Sequence, residues 1–558
     1  MGGLKKQTFL QGTLILLIAN AITKVIGALF KIPLAYIIDK EGMAVFNTAY
    51  QFYVLLFIVA TAGLPVAVSK MVSEHLAMDD YYETKRIFRC AMTLIVALGI
   101  LGACVLFFFA EPLANIVKDT ATIASIKMVA PALIFVAVMA GFRGLFQGTQ
   151  NMIPTALSEV VEALGKPVIG CVLAYFLVSR GIEIASAGAI AGVTAGTVAG
   201  AALMMLIYSR TRASIFHGHP AVPENPLPVG RIYKSLIVIA VPITIGACVS
   251  SITTLIDTVM VRSRLQSILF SPEQARALFD YYQASELSTL LTQGRLGEQA
   301  ARWLYGAYSG YAATLFNLPL TLIMSLSISV VPAISSAFAI KNRKEVQKIT
   351  ASSLRITVLF AMPCTIGLSV MAKPVLNLLY NDTTSSQMLE ILAIAIVWVT
   401  LVSVSTSILQ GAGRVWIPVV NMGIGALVKA VSNYILIGIP SINILGASIS
   451  TNICYFVIAV LNLFWVMKVT RVRLSILDFI VKPLFATAVM GAGTLVAYTF
   501  MTKYLPSPNL VTILSIGIGA VLYLAVLFLV GGIKREDVVM LPKGEKLAEI
   551  MQKYKLIK

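Results

Sequence analysis

The stretch "TLIVALGILGACVLFFFA" (93–110) contains no charged side chain. An apolar run of this length is sufficient for one helix to cross the hydrocarbon core of a bilayer. Similar runs recur along the whole chain and end with "VTILSIGIGAVLYLAVLFLVGG" (511–532). The sequence therefore predicts an all-α, polytopic membrane protein.

The composition supports this prediction. Of 558 residues, 58% are hydrophobic and 12% are charged, whereas soluble domains contain about 25% charged residues. The first apolar segment has no small-residue cleavage site before Ile38, so we expect it to be retained. The hydrophobic runs predict about fourteen spans. Their approximate limits are 9–38, 46–73, 87–110, 122–149, 152–179, 184–209, 232–264, 304–340, 349–371, 386–410, 415–438, 443–467, 476–501 and 509–532.

The net charge of +18 arises from basic residues that are concentrated in alternate connections between the spans. Such a distribution follows the positive-inside rule. It predicts a multi-pass membrane protein with both termini in the cytoplasm. Because no domain gathers the basic residues, no nucleic-acid partner is expected.

The connections suggest a division into two lobes of six helices and two additional helices. The predicted parts are an N-lobe at 1–211, a cytoplasmic linker at 212–230, a C-lobe at 231–470 with an extracytoplasmic loop at 265–303, helices thirteen and fourteen at 471–533, and a basic cytoplasmic tail at 534–558. The Pro-rich stretch 210–231 marks the linker. The end of the tail, 543–558, has the spacing of a basic amphipathic helix, and a membrane-surface anchor and a loose tail both remain open.

An internal repeat supports the two lobes. "LFQGTQNMIP" (145–154) resembles "ILQGAGRVWIP" (408–418), and Lys166 follows Gln147 at the same distance as Lys429 follows Gln410. The copies lie six predicted spans apart and so share one orientation. This predicts a pseudo-two-fold axis along the membrane normal. Glycines at every fourth position of span six, from Gly188 to Gly200, predict close helix packing.

Charged residues inside the spans are the candidates for function. A Lys at the centre of a membrane helix costs about 2.5–3.5 kcal/mol on insertion scales, yet "ITKVIGALFKIPLAYII" (22–38) contains Lys24 and Lys31. At about 100° per residue, the two lie on one face of a helix. The basic candidates outnumber the acidic ones, which predicts a cavity that receives an anion. The basic candidates are Lys24, Lys31, Arg143, Lys166, Arg262 and Lys429, and the acidic candidates for ion coupling are Glu159, Glu162 and Asp257.

Alternatives remain open for several of these residues. Arg143 can extend to the cytoplasmic interface, and Arg262 to the outer interface. Glu162 and Lys166 are one helical turn apart and can neutralise each other. The pair His217 and His219 has no accompanying carboxylate or Cys cluster, so no metal site is expected.

The motifs "TKVIGALFKIPL", "AGLPVAVSKMVSE" (62–74) and "FRGLFQGTQNMIPTALSEVVE" (142–162) resemble the SpoVB/YtgP branch of the multidrug/oligosaccharidyl-lipid/polysaccharide (MOP) exporter superfamily, which is related to the MurJ lipid II flippases. The resemblance covers essentially the whole chain. It implies a flippase for undecaprenyl-diphosphate-linked saccharides, with lipid II as the typical cargo, working by alternating access.

The resemblance also implies binding residues. Lys24 matches the Arg of the family's S-R-V-x-G pattern, and Lys31 matches the following basic position approximately. The family's Y-A-D-R motif in helix eight corresponds to "GYAATLFNLP" (310–319), so Thr314 takes the position of the Arg and Asn317 that of a neighbouring acidic residue. Arg262 would compensate for the missing cation. The substrate-binding set then also includes Gln147 and Asn317.

Three functions are compatible with a protein of this kind. A lipid-linked saccharide flippase, or an exporter of another lipid-linked polysaccharide unit, fits the excess of cations. A cation-coupled multidrug exporter would use the three acidic residues. A membrane transferase would need loop carboxylates such as Asp79 and Asp80, which lie among basic residues and are expected to be solvated.

The sequence has no G-x-x-x-x-G-K-[ST] loop, so hydrolysis of ATP is not expected. The transport prediction includes no cofactor and no enzymatic activity. The predicted partners are the lipid-linked substrate, membrane lipids and the cell-wall synthesis machinery, with a monomer as the functional state.

Overall fold

The computed structural model describes residues 9–76, 78–216, 226–268 and 296–533, together with positions 549 and 552. Within these residues all regular structure is helical, as predicted. The histidine pair, most of the extracytoplasmic loop and nearly all of the C-terminal tail lie outside the described residues, so the predictions made for them stay predictions.

The contacts divide the chain into two compact units. Unit 1 comprises 1–266 and 298–306, and unit 2 comprises 267–297 and 307–558. The seventh predicted span therefore belongs to unit 1 by its contacts. The lobe boundaries drawn from the sequence stay a prediction.

Unit 1 is built from twelve helices and two short helical turns of other types within the described residues. The helices are α1 (Phe9–Leu29), α2 (Lys31–Thr61), α3 (Leu64–Leu76), α4 (Tyr81–Phe108), α5 (Ala110–Ile116), α6 (Thr122–Val129), α7 (Ala132–Gly148), α8 (Ile153–Gly165), α9 (Cys171–Leu177), α10 (Ile182–Ile215), α11 (Val229–Ile268) and α12 (Leu296–Gly306). The short turns are a π-helical turn (Lys166–Gly170) and a 3₁₀ turn (Val178–Arg180), on either side of α9.

Unit 2 contains the helices that follow. They are α13 (Ala313–Ala339), α14 (Arg343–Val370), α15 (Ala372–Tyr380), α16 (Ser386–Gly411), α17 (Trp416–Ile437), α18 (Leu445–Thr470), α19 (Lys482–Tyr504) and α20 (Pro508–Leu529), with π-helical turns at Ala307–Ala312 and Leu477–Val481.

Eleven helical segments of the described part are long and apolar enough to cross a membrane. One of them, Ile18–Leu76, covers the second predicted span and the first from Ile18 onward. Helices α11 and α13 correspond to predicted spans seven and eight and are not among the eleven. The polytopic helical fold is confirmed, and the number of fourteen spans stays a prediction.

Helix α2 contains a sharp break at Asp39, whose φ of 51° and ψ of −172° are not helical. Lys31 and Asn47 are 16 residues apart and their side chains form a hydrogen bond, although a straight helix of that length would separate them by about 24 Å. The break therefore folds the two halves of α2 back along each other. It lies where the first two predicted spans were expected to be separated.

The glycine stripe of span six packs as predicted. Gly192 on α10 lies against the backbone of Gly170, and Gly196 lies against Gly165 at the end of α8. A Cβ atom at either position of α10 would overlap the facing backbone. The stripe thus holds α8, the π-helical turn and α10 together.

The internal repeat has the same local structure in both copies. Helix α7 ends just after Gln147, and α16 ends just after Gln410. Both are closed by a residue with positive φ, Gln150 at 57° and Gly413 at 73°. The backbone hydrogen bonds also correspond: Gln150 N to Gln147 O (3.0 Å) and Asn151 N to Phe146 O (3.0 Å) in the first copy, Gly413 N to Gln410 O (2.9 Å) and Arg414 N to Leu409 O (2.8 Å) in the second.

Candidate functional site

Two lysines predicted to bind the substrate lie together in unit 1. The Nζ atom of Lys31 donates a hydrogen bond to Asn47 Oδ1 at 3.2 Å. The Nζ atom of Lys166 donates to the Tyr50 hydroxyl at 3.0 Å, and it lies 5.0 Å from the centroid of that ring. Asn47 and Tyr50 are three residues apart on α2, so the two ammonium groups are held on the same side of that helix. We call Lys31, Asn47, Tyr50 and Lys166 the Lys166 cluster.

Each element of this cluster positions one part of it. The break at Asp39 brings Lys31 beside the second half of α2, where Asn47 and Tyr50 lie one turn apart. The ring of Phe46 stacks on that of Tyr50 at 5.9 Å. Lys166 begins the π-helical turn that follows α8, and such turns are frequent at functional sites. Both lysines are half-buried and hydrogen-bond to neutral partners.

A true ion pair lies next to this cluster. Arg143 on α7 binds Glu162 on α8 with a distance of 3.0 Å between Nη2 and Oε2, and its Nε atom donates to the Ser158 hydroxyl at 2.9 Å. The carboxylate of Glu162 is thus bound by Arg143, and no ion pair between Glu162 and Lys166 is found within the described residues. Glu162 therefore pairs with Arg143, and Lys166 has no carboxylate in contact within the described residues.

Glu159 lies one turn before Glu162 on α8. Its Oε2 atom is buried and has no hydrogen-bond partner in the described part of the chain. A buried carboxylate oxygen without a partner is unfavourable. Glu159 therefore stays a candidate for ion coupling.

Lys24 is exposed on α1. Within the ranges that the structure describes, it makes neither a hydrogen bond nor an ion pair.

Gln147 is half-buried at the end of α7, in the turn that both copies of the repeat share. The roles of Lys24 and Gln147 in binding substrate stay predictions.

Arg262 has a different environment from the one expected of a substrate-binding residue. Its side chain is 0% exposed and is bound to the carboxylate of Asp119, which is also 0% exposed. It further donates to the Thr48 hydroxyl at 3.1 Å. These contacts bind Arg262 within unit 1, and its role in binding substrate stays a prediction. Asp257, one turn earlier on α11, is also buried.

Asp119 binds a second arginine that the sequence had placed in the extracytoplasmic loop. The Nη2 atom of Arg302 on α12 lies 2.6 Å from Asp119 Oδ1, and Arg302 lies 3.9 Å from Glu41. Beside them, the ammonium group of Lys40 lies 4.4 Å over the ring of Trp303. We call Asp119, Arg262 and Arg302 the Asp119 cluster. No sequence signal identifies this cluster, because Arg262 and Arg302 lie 143 and 183 residues after Asp119 in the chain.

The predicted site residues of unit 2 are Lys429 and Asn317. Lys429 is buried on α17, with 3% of its surface exposed. Asn317 is exposed and donates to the Ala313 carbonyl of its own helix at 2.7 Å. Thr314, at the position of the family's Arg, donates to the Gly310 carbonyl at 2.6 Å. Neither replaces the missing cation.

Unit 2 instead contains an apolar cavity of about 710 Å³ between α13, α14, α15, α19 and α20. Pro319, Pro363 and Met490 are among its lining residues. One wall is held by the Tyr523 hydroxyl, which donates to the Leu359 carbonyl at 2.7 Å. The last two helices of the chain therefore contribute to a long hydrophobic recess.

Comparison with known protein families identifies the chain. A family model described as polysaccharide biosynthesis protein matches residues 9–338, more than half of the sequence. The chain belongs to this family. A second model, described as lipid II flippase MurJ, matches residues 299–528 of the chain.

Three relatives from Bacillus subtilis are similar to this family member. The uncharacterized membrane protein YabM is 27% identical over 99% of this chain and 98% of its own length. Stage V sporulation protein B is 26% identical over 85% of this chain and 86% of its own. The lipid II flippase MurJ is 24% identical over 80% of each chain.

Solved structures agree on the fold. A lipid II flippase MurJ in an inward closed conformation superimposes with a TM-score of 0.60, covers 92% of this chain and 97% of its own, and is 16% identical. An inward-facing multidrug MATE transporter of the MOP superfamily has a TM-score of 0.59, covers 82% and 98%, and is 12% identical. This family member is thus a membrane-embedded protein of the MOP superfamily, similar to stage V sporulation protein B and related to MurJ, as the motifs predicted.

Proposed function

We propose that the protein moves an undecaprenyl-diphosphate-linked saccharide, specifically lipid II, across the bacterial cytoplasmic membrane by alternating access. The observation that carries the proposal is the Lys166 cluster. Two lysines lie close together on membrane-spanning helices and are held by Asn47 and Tyr50 instead of carboxylates. Keeping two like charges together in an apolar region is costly, and an anionic ligand would offset that cost.

A diphosphate fits the chemistry of this cluster. Its oxygens accept charge-assisted hydrogen bonds from ammonium groups, and these are stronger than bonds from the same donors to neutral oxygens. On binding, the headgroup would replace Asn47 Oδ1 and the Tyr50 hydroxyl as acceptors for Lys31 and Lys166. The neutral partners can release the lysines at little cost, since no buried counter-charge would be left unpaired.

The apolar cavity of unit 2 supports a substrate with a long hydrocarbon chain. Its walls are almost entirely aliphatic and aromatic side chains, and a polyprenyl chain would bury apolar surface there at about 25 cal/mol per Å². The similarity to lipid II flippase MurJ across residues 299–528 covers the helices that form the cavity. We propose that these helices hold the lipid tail of the substrate.

Leaflet transfer tests this function directly. The full-length protein is reconstituted into vesicles with fluorescent lipid II, and an impermeant quencher reports the arrival of label in the outer leaflet. We expect Lys166→Gln to lower the initial rate about tenfold or more, because hydrogen bonds to charged groups contribute about 1.5–3 kcal/mol. Lys503→Gln, at an exposed site near the end of α19, is the matched control and should transfer at the wild-type rate.

A competition arm tests the identity of the saccharide. An undecaprenyl diphosphate that carries another saccharide is added as an unlabelled competitor. If it inhibits transfer more strongly than unlabelled lipid II does, that compound is the better candidate for the cargo and the flippase function stands. Equal transfer by the wild type, by Lys166→Gln and by empty vesicles would refute the flippase.

A cation-coupled multidrug exporter is the second candidate, favoured by the unpartnered carboxylate oxygen of Glu159 and by the MATE-like fold. In that case a proton or sodium gradient should drive efflux of a cationic dye. Glu159→Gln should abolish this efflux, whereas Lys166→Gln should leave it unchanged.

A further inference from the structure

A second pocket, rich in basic residues, lies at one end of unit 2. It encloses about 990 Å³ and is formed by the α13–α14 and α16–α17 connections and by the end of α18. Five basic side chains line it: Lys341, Arg343, Arg414, Lys468 and Arg471. We call these five residues and the space they enclose the basic pocket. It shares no residue with the Lys166 cluster or the apolar cavity.

The charges of the basic pocket are not compensated. Its lining includes no Asp or Glu, and within the described residues none of the five cations forms an ion pair. Five like charges around one concave surface raise its positive potential, because a low-dielectric wall focuses the field into the recess. The positive-inside rule explains why cations lie in these connections, but it does not explain why they surround a recess.

The backbone holds this arrangement in place. Each of the three segments that form the pocket has a residue of positive φ just after its preceding helix. These residues are Lys341 at 54°, Gly413 at 73° and Arg471 at 55°. These left-handed residues end α13, α16 and α18 in tight turns. The carbonyl of Arg471 accepts a hydrogen bond from Gln347 Nε2 at 3.0 Å. The basic side chains are therefore attached to fixed turns, and the recess is a built feature of the fold.

Two tryptophans indicate where the pocket lies relative to the lipid. Trp416 is 55% exposed at its rim, and the Lys468 ammonium group lies 4.8 Å over the Trp465 ring. Tryptophan is enriched at the level of the lipid headgroups, where its ring contacts acyl chains and its N–H contacts water. By the predicted orientation, the connections that form the pocket face the cytoplasmic leaflet, whose surface carries anionic lipids.

We propose that the basic pocket binds the phosphate headgroup of an anionic phospholipid of the cytoplasmic leaflet. The shared chemistry is a phosphate ester on several cations, and Arg414 and Arg471 can bind its oxygens in a bidentate way. Basic recesses between membrane helices on the cytoplasmic side bind such headgroups in general. The site is separate from the proposed transport and does not depend on it.

Native mass spectrometry of the purified full-length protein tests the site. Phosphatidylglycerol and phosphatidylcholine are titrated separately, and inorganic phosphate is added in a third arm. We expect phosphatidylglycerol to be retained at least about tenfold more tightly than phosphatidylcholine, since each Lys or Arg near the surface contributes about 1 kcal/mol. Phosphate that binds while phosphatidylglycerol is not retained would identify a soluble anion and overturn the lipid assignment.

Matched variants separate a site from general surface charge. Lys341→Gln, Arg414→Gln and Arg471→Gln combined should weaken phosphatidylglycerol retention about tenfold or more. The control triple Arg89→Gln, Arg210→Gln and Arg212→Gln removes the same charge from exposed positions of unit 1 and should change retention less than about twofold. Equal losses in both triples would overturn the proposal.

A charge-preserving triple variant and a fluorescence measurement of where the lipid binds keep the test independent of folding. Lys341→Arg, Arg414→Lys and Arg471→Lys combined preserve the charge and should retain the lipid, and loss of retention there with an intact thermal unfolding profile would contradict a site that recognises charge. Brominated phosphatidylglycerol should quench tryptophan fluorescence more than brominated phosphatidylcholine, and Trp416→Phe with Trp465→Phe should remove that difference. A difference that persists without these two rings would place the lipid elsewhere.

Discussion

Unit 1 satisfies its membrane cations in two contrasting ways. In the Asp119 cluster, Arg262 and Arg302 share one fully buried carboxylate, and Arg302 also lies 3.9 Å from the Glu41 carboxylate, so each arginine has an acidic partner. In the Lys166 cluster, two lysines hydrogen-bond to an amide oxygen and a phenol, and neither forms an ion pair within the described residues. The first arrangement is complete without a ligand, whereas the second has positive charge that an anion can neutralise. Counter-charge, more than burial, distinguishes a structural cation from a candidate binding cation.

The largest effect on stability should come from removing the shared carboxylate. Asp119→Ala leaves Arg262 buried without a counter-ion, and breaking a buried pair in this way costs about 3–5 kcal/mol. We expect loss of the monodisperse peak in detergent or a large fall in the thermal midpoint. A second variant, Asp119→Ala with Arg262→Met, should recover part of the loss, because the buried charge is gone. An Asp119→Ala protein as stable as wild type would remove the contrast.

The Arg143–Glu162 pair should give an intermediate effect. Arg143→Met and Glu162→Gln form a double-mutant cycle, and contacting charged residues of this kind couple by about 0.5–3 kcal/mol. The exposed pair Lys70–Glu74, at 3.9 Å and with side chains 58% and 55% exposed, is the control and should couple by about 0–1 kcal/mol. Unfolding midpoints of the single and double variants measure both values, and equal coupling would show that the half-buried pair is not structural.

Removing a lysine of the Lys166 cluster should change stability little and transport much. Lys166→Met leaves the Tyr50 hydroxyl without one partner, a cost of about 1 kcal/mol, while it also removes a desolvated charge. We expect a thermal midpoint near that of wild type and a rate of lipid II transfer that is lower by about tenfold or more. Lys166→Arg should retain most of the transfer. A severely destabilised Lys166→Met would assign this cluster to structure as well.

Lys24 should give the smallest effect on stability. The side chain is exposed on α1, and substitutions at such sites change stability by about 0.5 kcal/mol or less. If Lys24 contacts the cargo, Lys24→Ala should insert and fold normally and yet lose transfer of fluorescent lipid II. Normal transfer by Lys24→Ala would show that the family's first-helix cation is dispensable here.

The parts of the fold that depend on local sequence were predictable. Apolar runs identified the helices, the repeat identified two equivalent turns, and the spacing of Gly192 and Gly196 identified a helix contact. Lys31 and Lys166 were also recognisable, because a Lys in an apolar run is costly wherever the run folds. Each of these signals needs only a few neighbouring residues.

The contacts between distant segments were not predictable. Nothing near Asp119 indicates that it will bind Arg262 and Arg302. The sequence predicts Arg302 only as part of the extracytoplasmic loop, and its contact with Asp119 is apparent only in the structure. Likewise, Glu162 was close in sequence to Lys166 but is bound to Arg143 on another helix. Helical spacing shows which partners are possible, and tertiary packing chooses among them.

The π-helical turn at Lys166–Gly170 gives the following helix, α9, a rotational phase that differs from that of an uninterrupted α-helix of the same length. Gly165 and Gly170 both lie against α10, although five residues of a regular α-helix turn through about 500° and would place them on different faces. The wider turn absorbs one additional residue and returns Gly170 to the side of Gly165. In genetic terms it is equivalent to a single-codon insertion that leaves both flanking helices in register with their neighbour. Deleting one residue between Lys166 and Gly170 should therefore restore a regular α-helix, in which Gly165 and Gly170 are four positions apart and still lie on the face towards α10.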